Sequence, residues 1–338
     1  MSTDFMPAVV VRAGAKRGEW NEIGLEMVQR PVPGPDEVMV RVEACSVNRA
    51  DLLQRRGLYP PPRGESDVLG LDFAGVVLAV APAVSRWKEG DRVFGIVPGG
   101  GYGRYLSVPV DTLVRIPDNL SFEEAAAAAE VFFTAYYNLF LQAGLKKGEV
   151  LLLHGGGSGV GTAAIQLGKV AGAEIIITAG TSEKIPGALE LGAAHGINYK
   201  EEDFAARAVE VSSRKGIDVI LDWIGASYLE KHLSILRTGG RLVLIGLMGG
   251  TSGEINLATV VSRRLKIIGS VLRSQSREEK AAITRGFSDE VVPLLASGRV
   301  RPVIDRTFPI DLAEDAHSYM RGGEHFGKIV LTWDGYVE

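Results

Sequence analysis

Apolar residues fall into two successive patterns along this chain. Up to about residue 118 short β-like runs dominate: Ala8 to Arg12, Val38 to Val47, Ala74 to Val80, Arg92 to Ile96 and Arg104 to Val108, broken by Gly and Pro. They predict a compact, mainly-β domain. From Ser121 the stretch FEEAAAAAEVFFTAYYNLFLQAG reads as helix, with Asp118 or Ser121 able to cap it and Glu123 and Glu124 favourable in its first turn. Beyond it, apolar runs at Val150 to His154, Glu174 to Thr178, Gly196 to Tyr199, Asp218 to Trp223, Arg241 to Gly246 and Lys266 to Val271 alternate with helix-length segments. Six such strands predict an α/β fold with a doubly wound parallel sheet. A charged helix after Ser276, the segment PVIDRTF, a helix near Asp311 to Arg321 and a final strand in GKIVLTW then return to the first domain. The expected boundaries are residues 1–125, completed by 275–338, for the mainly-β domain and 126–274 for the sheet domain.

Within the second pattern, VLLLHGGGSGVGTAAIQLGKVA runs an apolar strand into a glycine cluster and then a small-residue helix. A helix opening near Gly159 leaves backbone N–H groups without intrahelical partners, and with the helix dipole they suit a diphosphate. No glycines stand at i, i+2 and i+5, so the literal G-x-G-x-x-G fingerprint is absent. The strand before the loop and the run Ile175 to Thr178 one helix later supply the βαβ context instead. Gly156, Gly157, Ser158, Gly159, Val160 and Gly161 are therefore candidate dinucleotide-binding residues, against the plainer reading of a tight turn capping a helix. Ser158 suits either a phosphate contact or simple turn chemistry.

Composition narrows the partners. Lys and Arg total 37 against 41 Asp and Glu, a net charge of −4, so no basic footprint for nucleic acid or an anionic membrane is present. No uncharged apolar run reaches the ~18 residues of a membrane span, and the first residues resemble no targeting signal, so a cytoplasmic location is expected. Cys45, the sole cysteine, excludes an intramolecular disulfide and a cysteine-rich zinc lobe, and reads as a small buried hydrophobe. Three consecutive prolines, 60 to 62, demand a stiff loop over 57–64 that can present Tyr59 to a cleft.

The blocks VNRADLLQRRGLYPPP, LGLDFAGVV, GDRVFGIVPGGGYGRY, GGGSGVGTAAIQLGK, LGAAHGINYKEEDF and GKIVLTW occur in the order seen in one family. Over almost its whole length the chain resembles the zinc-free quinone oxidoreductases, the zeta-crystallin branch of the medium-chain dehydrogenase/reductase superfamily, and within it the stress-inducible subgroup. The resemblance implies a GroES-like substrate domain, a Rossmann domain, NADPH as reductant, and a homodimer joined through the Rossmann sheets. Positions that hold catalytic zinc in related alcohol dehydrogenases match Asn48, Leu71 and Glu130. Only the glutamate is a zinc ligand, so no metal is expected. Without a Lewis acid to polarise an alcohol, the acceptor expected is one that delocalises the incoming charge by conjugation.

Coenzyme choice is argued locally. NAD-selective sites place an acidic residue roughly 20 residues after the glycines, at the end of the second strand. Here that end reads Thr178-Ala179-Gly180-Thr181-Ser182, leaving room for a 2′-phosphate that Lys184 can neutralise. NADPH is the expected coenzyme. The resemblance adds Tyr199 beside Lys184 at the adenosine phosphate, while Glu183 departs from the family pattern and would weaken the preference if it pointed inward. A solvated lysine and a strand-capping tyrosine are the plainer alternatives. Around the nicotinamide the resemblance nominates Asn48, Tyr59, Thr134, Ile245, Gly246 and Leu247. Asn48 offers amide donors and Tyr59 a ring and a hydroxyl, against plainer roles as a cap of NRADLLQRR and a loop filler. Asp51 reads as structural. His154 ends the first strand of the sheet domain where it could touch the coenzyme, while His195, His232, His317 and His325 show no ligand spacing.

The expectation is an NADPH-dependent reductase that passes hydride to a quinone held between the domains near Asn48 and Tyr59, by positioning and without a dedicated acid or base. Two alternatives stand beside it: an enone or alkenal double-bond reductase, and a non-catalytic NADPH-binding protein with a crystallin-like structural or sensing role.

Overall fold

A computed structural model describes residues 4–82, 84–213 and 215–336. The chain divides into two compact units, one built from the chain up to Phe133 and from Leu272 onward, the other from Thr134–Val271. The sequence reading placed these divisions at 125/126 and 274/275. Both placements of the first division lie within the same helix after Ser121, where no turn residue marks a boundary.

The first unit begins with β1 (Phe5–Val11) and β2 (Ile23–Gln29), which pair antiparallel as a two-stranded sheet. β3 (Glu37–Val47) leads into α1 (Arg49–Arg55), followed by β4 (Asp72–Val80), β5 (Arg92–Ile96), β6 (Tyr105–Pro109) and β7 (Val114–Arg115). α2 (Phe122–Tyr136) crosses to the second unit. Its start is a reciprocal cap, Ser121 Oγ accepting from Glu124 N–H while Glu124 accepts from Ser121 N–H. The stretch read as one helix ends differently, because Tyr137–Gln142 widen into a π-helical turn.

In the second unit β8 (Val150–Leu153), α3 (Gly159–Ala171), β9 (Glu174–Ala179), α4 (Lys184–Leu191), β10 (His195–Asn198), α5 (Phe204–Val211), β11 (Ile217–Asp222), α6 (Leu229–Ile235), β12 (Leu236–Leu244), α7 (Leu257–Arg263) and β13 (Lys266–Gly269) alternate. All pairings are parallel, in the order β10-β9-β8-β11-β12-β13. The order reverses between β8 and β11, and ligands of such sheets bind at the carboxyl ends of the strands beside that switch. β8, β9 and β11 are almost wholly buried, which explains their continuous apolar runs. Val150, Leu152, Ile176, Ile220 and Leu242 form the centre of the packed core on one face.

The chain then re-enters the first unit through α8 (Arg277–Glu290), α9 (Val292–Ala296), β14 (Ile304–Pro309), α10 (Ala313–Gly322) and β15 (Lys328–Thr332). β15 pairs antiparallel with β3, closing a seven-stranded sheet around Val40, Val42, Phe73, Leu113 and Ile329. Phe133 of α2 stacks on Phe287 of α8 with ring centroids 3.9 Å apart.

Candidate active site

The glycine turn after β8 is built for close approach. Gly155 has φ +54°, and a Cβ on Gly156 would lie 2.7 Å from that of Ile177. A Cβ on Gly161 would stand 2.4 Å from the Gly155 carbonyl oxygen, so α3 leaves the turn only with glycine there. Ser158 caps the helix, its Oγ accepting from Gly161 N–H at 3.0 Å. The cap uses the oxygen and leaves the hydroxyl proton free to donate. The N–H groups of Gly157, Gly159 and Val160 have no acceptor among the described residues, so three donors are clustered with the helix dipole behind them. Donors and glycine cradle together fit a dinucleotide diphosphate.

At the end of β9 the structure brings the adenosine-end candidates together. A Cβ on Gly180 would meet the Tyr199 hydroxyl at 2.7 Å, so the ring of this half-exposed tyrosine lies against the glycine. Lys184 opens α4 two residues after Ser182, with Thr181 and Ser182 exposed beside it. Glu183 is exposed and makes no cap. A different carboxylate, missed in the sequence reading, reaches this place: Ser182 Oγ accepts from Asn198 Nδ2 at 2.9 Å and donates to Glu201 at 3.4 Å. Ile245 N–H donates to the Asp222 carbonyl at 2.8 Å, and a Cβ on Gly246 would press on Trp223 at 2.9 Å, which ties the segment after β12 to the end of β11. Leu247 is half exposed, and Thr134 is buried, its carbonyl accepting from Asn138 Nδ2.

His154 follows β8 and turns inward. One ring nitrogen lies 3.0 Å from Thr178 Oγ1 and the other 2.7 Å from His232 Nε2, with His232 Nδ1 3.8 Å from Asp222 Oδ2. Burial drives the His154 imidazole well below its ordinary pKa and His232 to about 3, so both are neutral. Burial also raises Asp222 to about 6, opposed by the N–H groups of Ile224 and Gly225 that donate to it. Near neutrality the carboxylate favours a proton on the facing His232 Nδ1. His232 Nε2 then accepts from His154, whose Nδ1 accepts from Thr178. These three residues also have metal-ligand chemistry, with candidate ligand atoms within 4.8 Å of one another. Two nitrogens on one tetrahedral zinc stand roughly 3.4 Å apart, however, so the 2.7 Å contact is a hydrogen bond. The coenzyme contact considered for His154 is thereby replaced by an internal one.

In the first unit Asn48 lies inside a buried polar network. Its Nδ2 donates to Asp72 at 2.7 Å and to the Ser46 carbonyl at 3.2 Å, and its Oδ1 accepts from Lys328 Nζ at 2.6 Å. Lys328 also donates to the Val47 carbonyl, and Asp72 accepts from Ser46 N–H and its hydroxyl. Both amide hydrogens are committed, so the expected free donor of Asn48 is spent within the fold. Asp51 is structural as expected, accepting from Asn48 N–H at 2.8 Å, Tyr102 at 3.2 Å and Gly70 N–H at 3.2 Å. Burial, reinforced by Asp72, raises its pKa to about 7. Cys45 is wholly buried, its thiol pushed up by that burial and by the same carboxylates.

This network also tests the fit of zinc. At the three matching positions Asn48 gives its oxygen to an ammonium and Leu71 is apolar, leaving Glu130 as the one side chain of ligand type. The donor set does not fit zinc. Tyr59 is held differently from Asn48. It is partly buried in the proline loop, and its hydroxyl has no partner among the described residues. Arg273, which the sequence reading passed over, stacks on its ring at 4.9 Å and donates to its carbonyl at 3.0 Å.

The comparisons with known proteins agree with this geometry. Residues 34–118 match the family of the alcohol dehydrogenase GroES-like domain, and residues 159–286 that of the zinc-binding dehydrogenase. The human quinone oxidoreductase is 34% identical over 89% of this chain and 90% of its own length. The solved Escherichia coli quinone oxidoreductase complexed with NADPH is 29% identical, covers 97% of this chain and 99% of that one, and superposes with a TM-score of 0.84. The ER cyclopropanase CurF of the curacin A biosynthetic pathway is also 29% identical, with coverage of 97% and 99% and a TM-score of 0.83. The chain belongs to the quinone oxidoreductase branch of the medium-chain dehydrogenase/reductase superfamily. It is an oxidoreductase of the nicotinamide-dependent kind, with a GroES-like domain and a Rossmann domain, acting on a small molecule. No helix among the described residues is long and apolar enough to cross a membrane.

Proposed function

We propose that this protein is an NADPH-dependent quinone reductase that works without metal. The observation that carries the metal-free reading is the Lys328 ammonium on Asn48 Oδ1 at 2.6 Å, a cation already bound to the side chain at the first of the matching zinc positions. The bound coenzyme supplies a hydride at its nicotinamide ring. Gly157, Gly159 and Val160 would hold its diphosphate with their N–H groups, Ser158 with its hydroxyl, and Lys184 and Tyr199 its adenosine phosphate. Thr134 and Ile245 to Leu247 would bound the nicotinamide. Tyr59 would contact the acceptor, and Asn48, its amide committed internally, would set the chain path into α1 rather than bind substrate. A quinone suits such a site because conjugation spreads the arriving charge, leaving little for an acid or base to do.

The CurF relative, an ER cyclopropanase, is a protein of the same fold with chemistry other than quinone reduction, which keeps the reduction of a conjugated C=C bond as the second reading. Steady-state assays of NADPH oxidation against a quinone panel and an enal panel separate the two. Turnover confined to quinones supports the proposal, and turnover confined to enals supports the second reading. Tight coenzyme binding with neither activity would point to a binding protein instead.

A homodimer through the Rossmann domain belongs to the same proposal. Among the described residues β13 pairs with β12 alone, which leaves its outer edge unpaired there. Ile267 on it, and Leu257 and Val261 on α7, are exposed. An apolar strand edge of this kind is a pairing surface. The cytoplasm is the compartment proposed for this activity.

A further inference from the structure

Arg273 is the most unusual charge in the first unit. It is 8% exposed, yet it forms no ion pair among the described residues. Its Nε donates to the Pro98 carbonyl at 2.7 Å, Nη1 to the Tyr59 carbonyl at 3.0 Å and Nη2 to Gln54 Oε1 at 2.6 Å. A guanidinium has five N–H groups, so one on each terminal nitrogen is left without a protein acceptor. Burial lowers its pKa, the sign of a charge held against a desolvation cost. Its three hydrogen-bond acceptors are neutral, and Asp51 and Glu65 favour the charge without pairing with it, so burial costs it more than a direct ion pair would allow. Two N–H donors of this cation thus stay uncommitted among the described residues.

What the cation faces indicates its role. The guanidinium lies 4.9 Å from the centre of the Tyr59 ring, a cation–π distance, and its bond to the Tyr59 carbonyl fixes the backbone of the same residue. Pro60, Pro61 and Pro62 stiffen the loop beyond. The Tyr59 hydroxyl is therefore held by its loop and has no partner among the described residues; burial raises its pKa, the Arg273 charge against its ring opposes that rise, and the Glu130 carboxylate adds to it, so the hydroxyl stays protonated and able to donate.

We propose that Tyr59 and Arg273 form an oxyanion subsite for the acceptor, the tyrosine hydroxyl donating to a carbonyl oxygen and the arginine charge stabilising the negative charge that oxygen gains. This rests on the reading of Tyr59 as the acceptor contact. In the reaction the coenzyme's C–H bond breaks and its electron pair leaves with the hydrogen to form a bond on the acceptor. A π pair of the acceptor then ends on its carbonyl oxygen. Coenzyme is oxidised and acceptor reduced, and a proton from water completes the neutral product. The ligand class is a conjugated carbonyl compound on its way to a phenolate or enolate, and the subsite supplies without metal the stabilisation that catalysis at a carbonyl requires.

The test uses 4-nitrophenol, whose ionised form resembles a phenolate product and absorbs separately from the neutral form. On the wild-type protein without coenzyme its ionisation constant should rise about tenfold, and Arg273→Met should abolish that rise, as expected for a charge acting on a bound oxyanion. In turnover Arg273→Met should lower kcat about 30-fold with the NADPH dissociation constant unchanged, and Arg273→Lys should recover part of the loss. If Arg273→Met fails to fold, Tyr59→Phe decides, since it keeps ring and loop. It should lower kcat about tenfold and weaken nitrophenolate binding. An unshifted nitrophenol on the wild type, or a folded Arg273→Met with kcat within twofold, overturns the subsite. Absence of any quinone or enal turnover by the wild type would instead overturn the functional reading, and the nitrophenol titration would still test the subsite by itself.

Discussion

Lys328 Nζ donates to Asn48 Oδ1 at 2.6 Å, joining β15 to the start of α1 across 280 residues of chain. The same ammonium holds the neighbouring Asp72 carboxyl down against the burial that raises it. Lys328→Met would leave Asn48 Oδ1 and the Val47 carbonyl without this donor and strip Asp72 of its cation. A loss of about 3 kcal/mol is expected, because a broken buried charge network leaves the remaining partner unpaired. Urea unfolding measures it, and a change below about 0.5 kcal/mol would mean that the network contributes little.

Glu201 sets the coenzyme prediction. Its carboxylate shares Ser182 at 3.4 Å, where a 2′-phosphate would need the hydroxyl. Glu201→Gln should improve NADPH binding about threefold and leave NADH unchanged, while Lys184→Ala should weaken NADPH about tenfold. Fluorescence titration with both coenzymes gives the four dissociation constants. Equal effects on NADPH and NADH would remove these residues from phosphate recognition.

Buried neutral histidines set the acid limit of stability. Burial depresses the pKa of His232 and of His317 to about 3, and lowers His154 as well. Protons therefore bind the unfolded chain preferentially, and stability present above about pH 6.5 is lost as the pH falls toward 3, by up to ~1.4 kcal/mol per pH unit for each histidine. Asp51, raised by burial to about 7, acts oppositely and costs stability as the pH rises from about 4 to 7. His232→Asn should flatten the acid limb of the unfolding free energy against pH, and Asp51→Asn the limb approaching neutrality. Unchanged slopes would show that other groups govern the profile.

The unpaired edge of β13 yields an assembly prediction. Ile267→Lys adds a charge to an exposed apolar strand and should convert a dimer to a monomer, read by light scattering after gel filtration. A wild-type monomer at micromolar concentration, or a dimer unaffected by the substitution, would place the interface elsewhere or nowhere.

The second unit was largely legible because buried parallel strands write continuous apolar runs, and all six strands lie where those runs occur. β12 begins earlier than read, at Leu236, because Gly239 and Gly240 interrupt its apolar pattern. β2 was missed because only Ile23 is buried along it, and β7 because two residues carry no period. The glycine turn was readable from strand, loop and helix in succession. The His154, His232 and Asp222 cluster was not, since parallel pairing of β8 with β11 and the return of α6 join residues far apart in the chain. Arg273 was likewise silent, because an unpaired buried charge is defined by what surrounds it.

The central claim is hydride transfer to a quinone without metal. Protein dialysed against a strong chelator, with its zinc and iron content measured, should bind NADPH and oxidise it with a quinone at the undialysed rate. Loss of turnover that stoichiometric zinc restores, or no affinity for either nicotinamide coenzyme, would contradict the account.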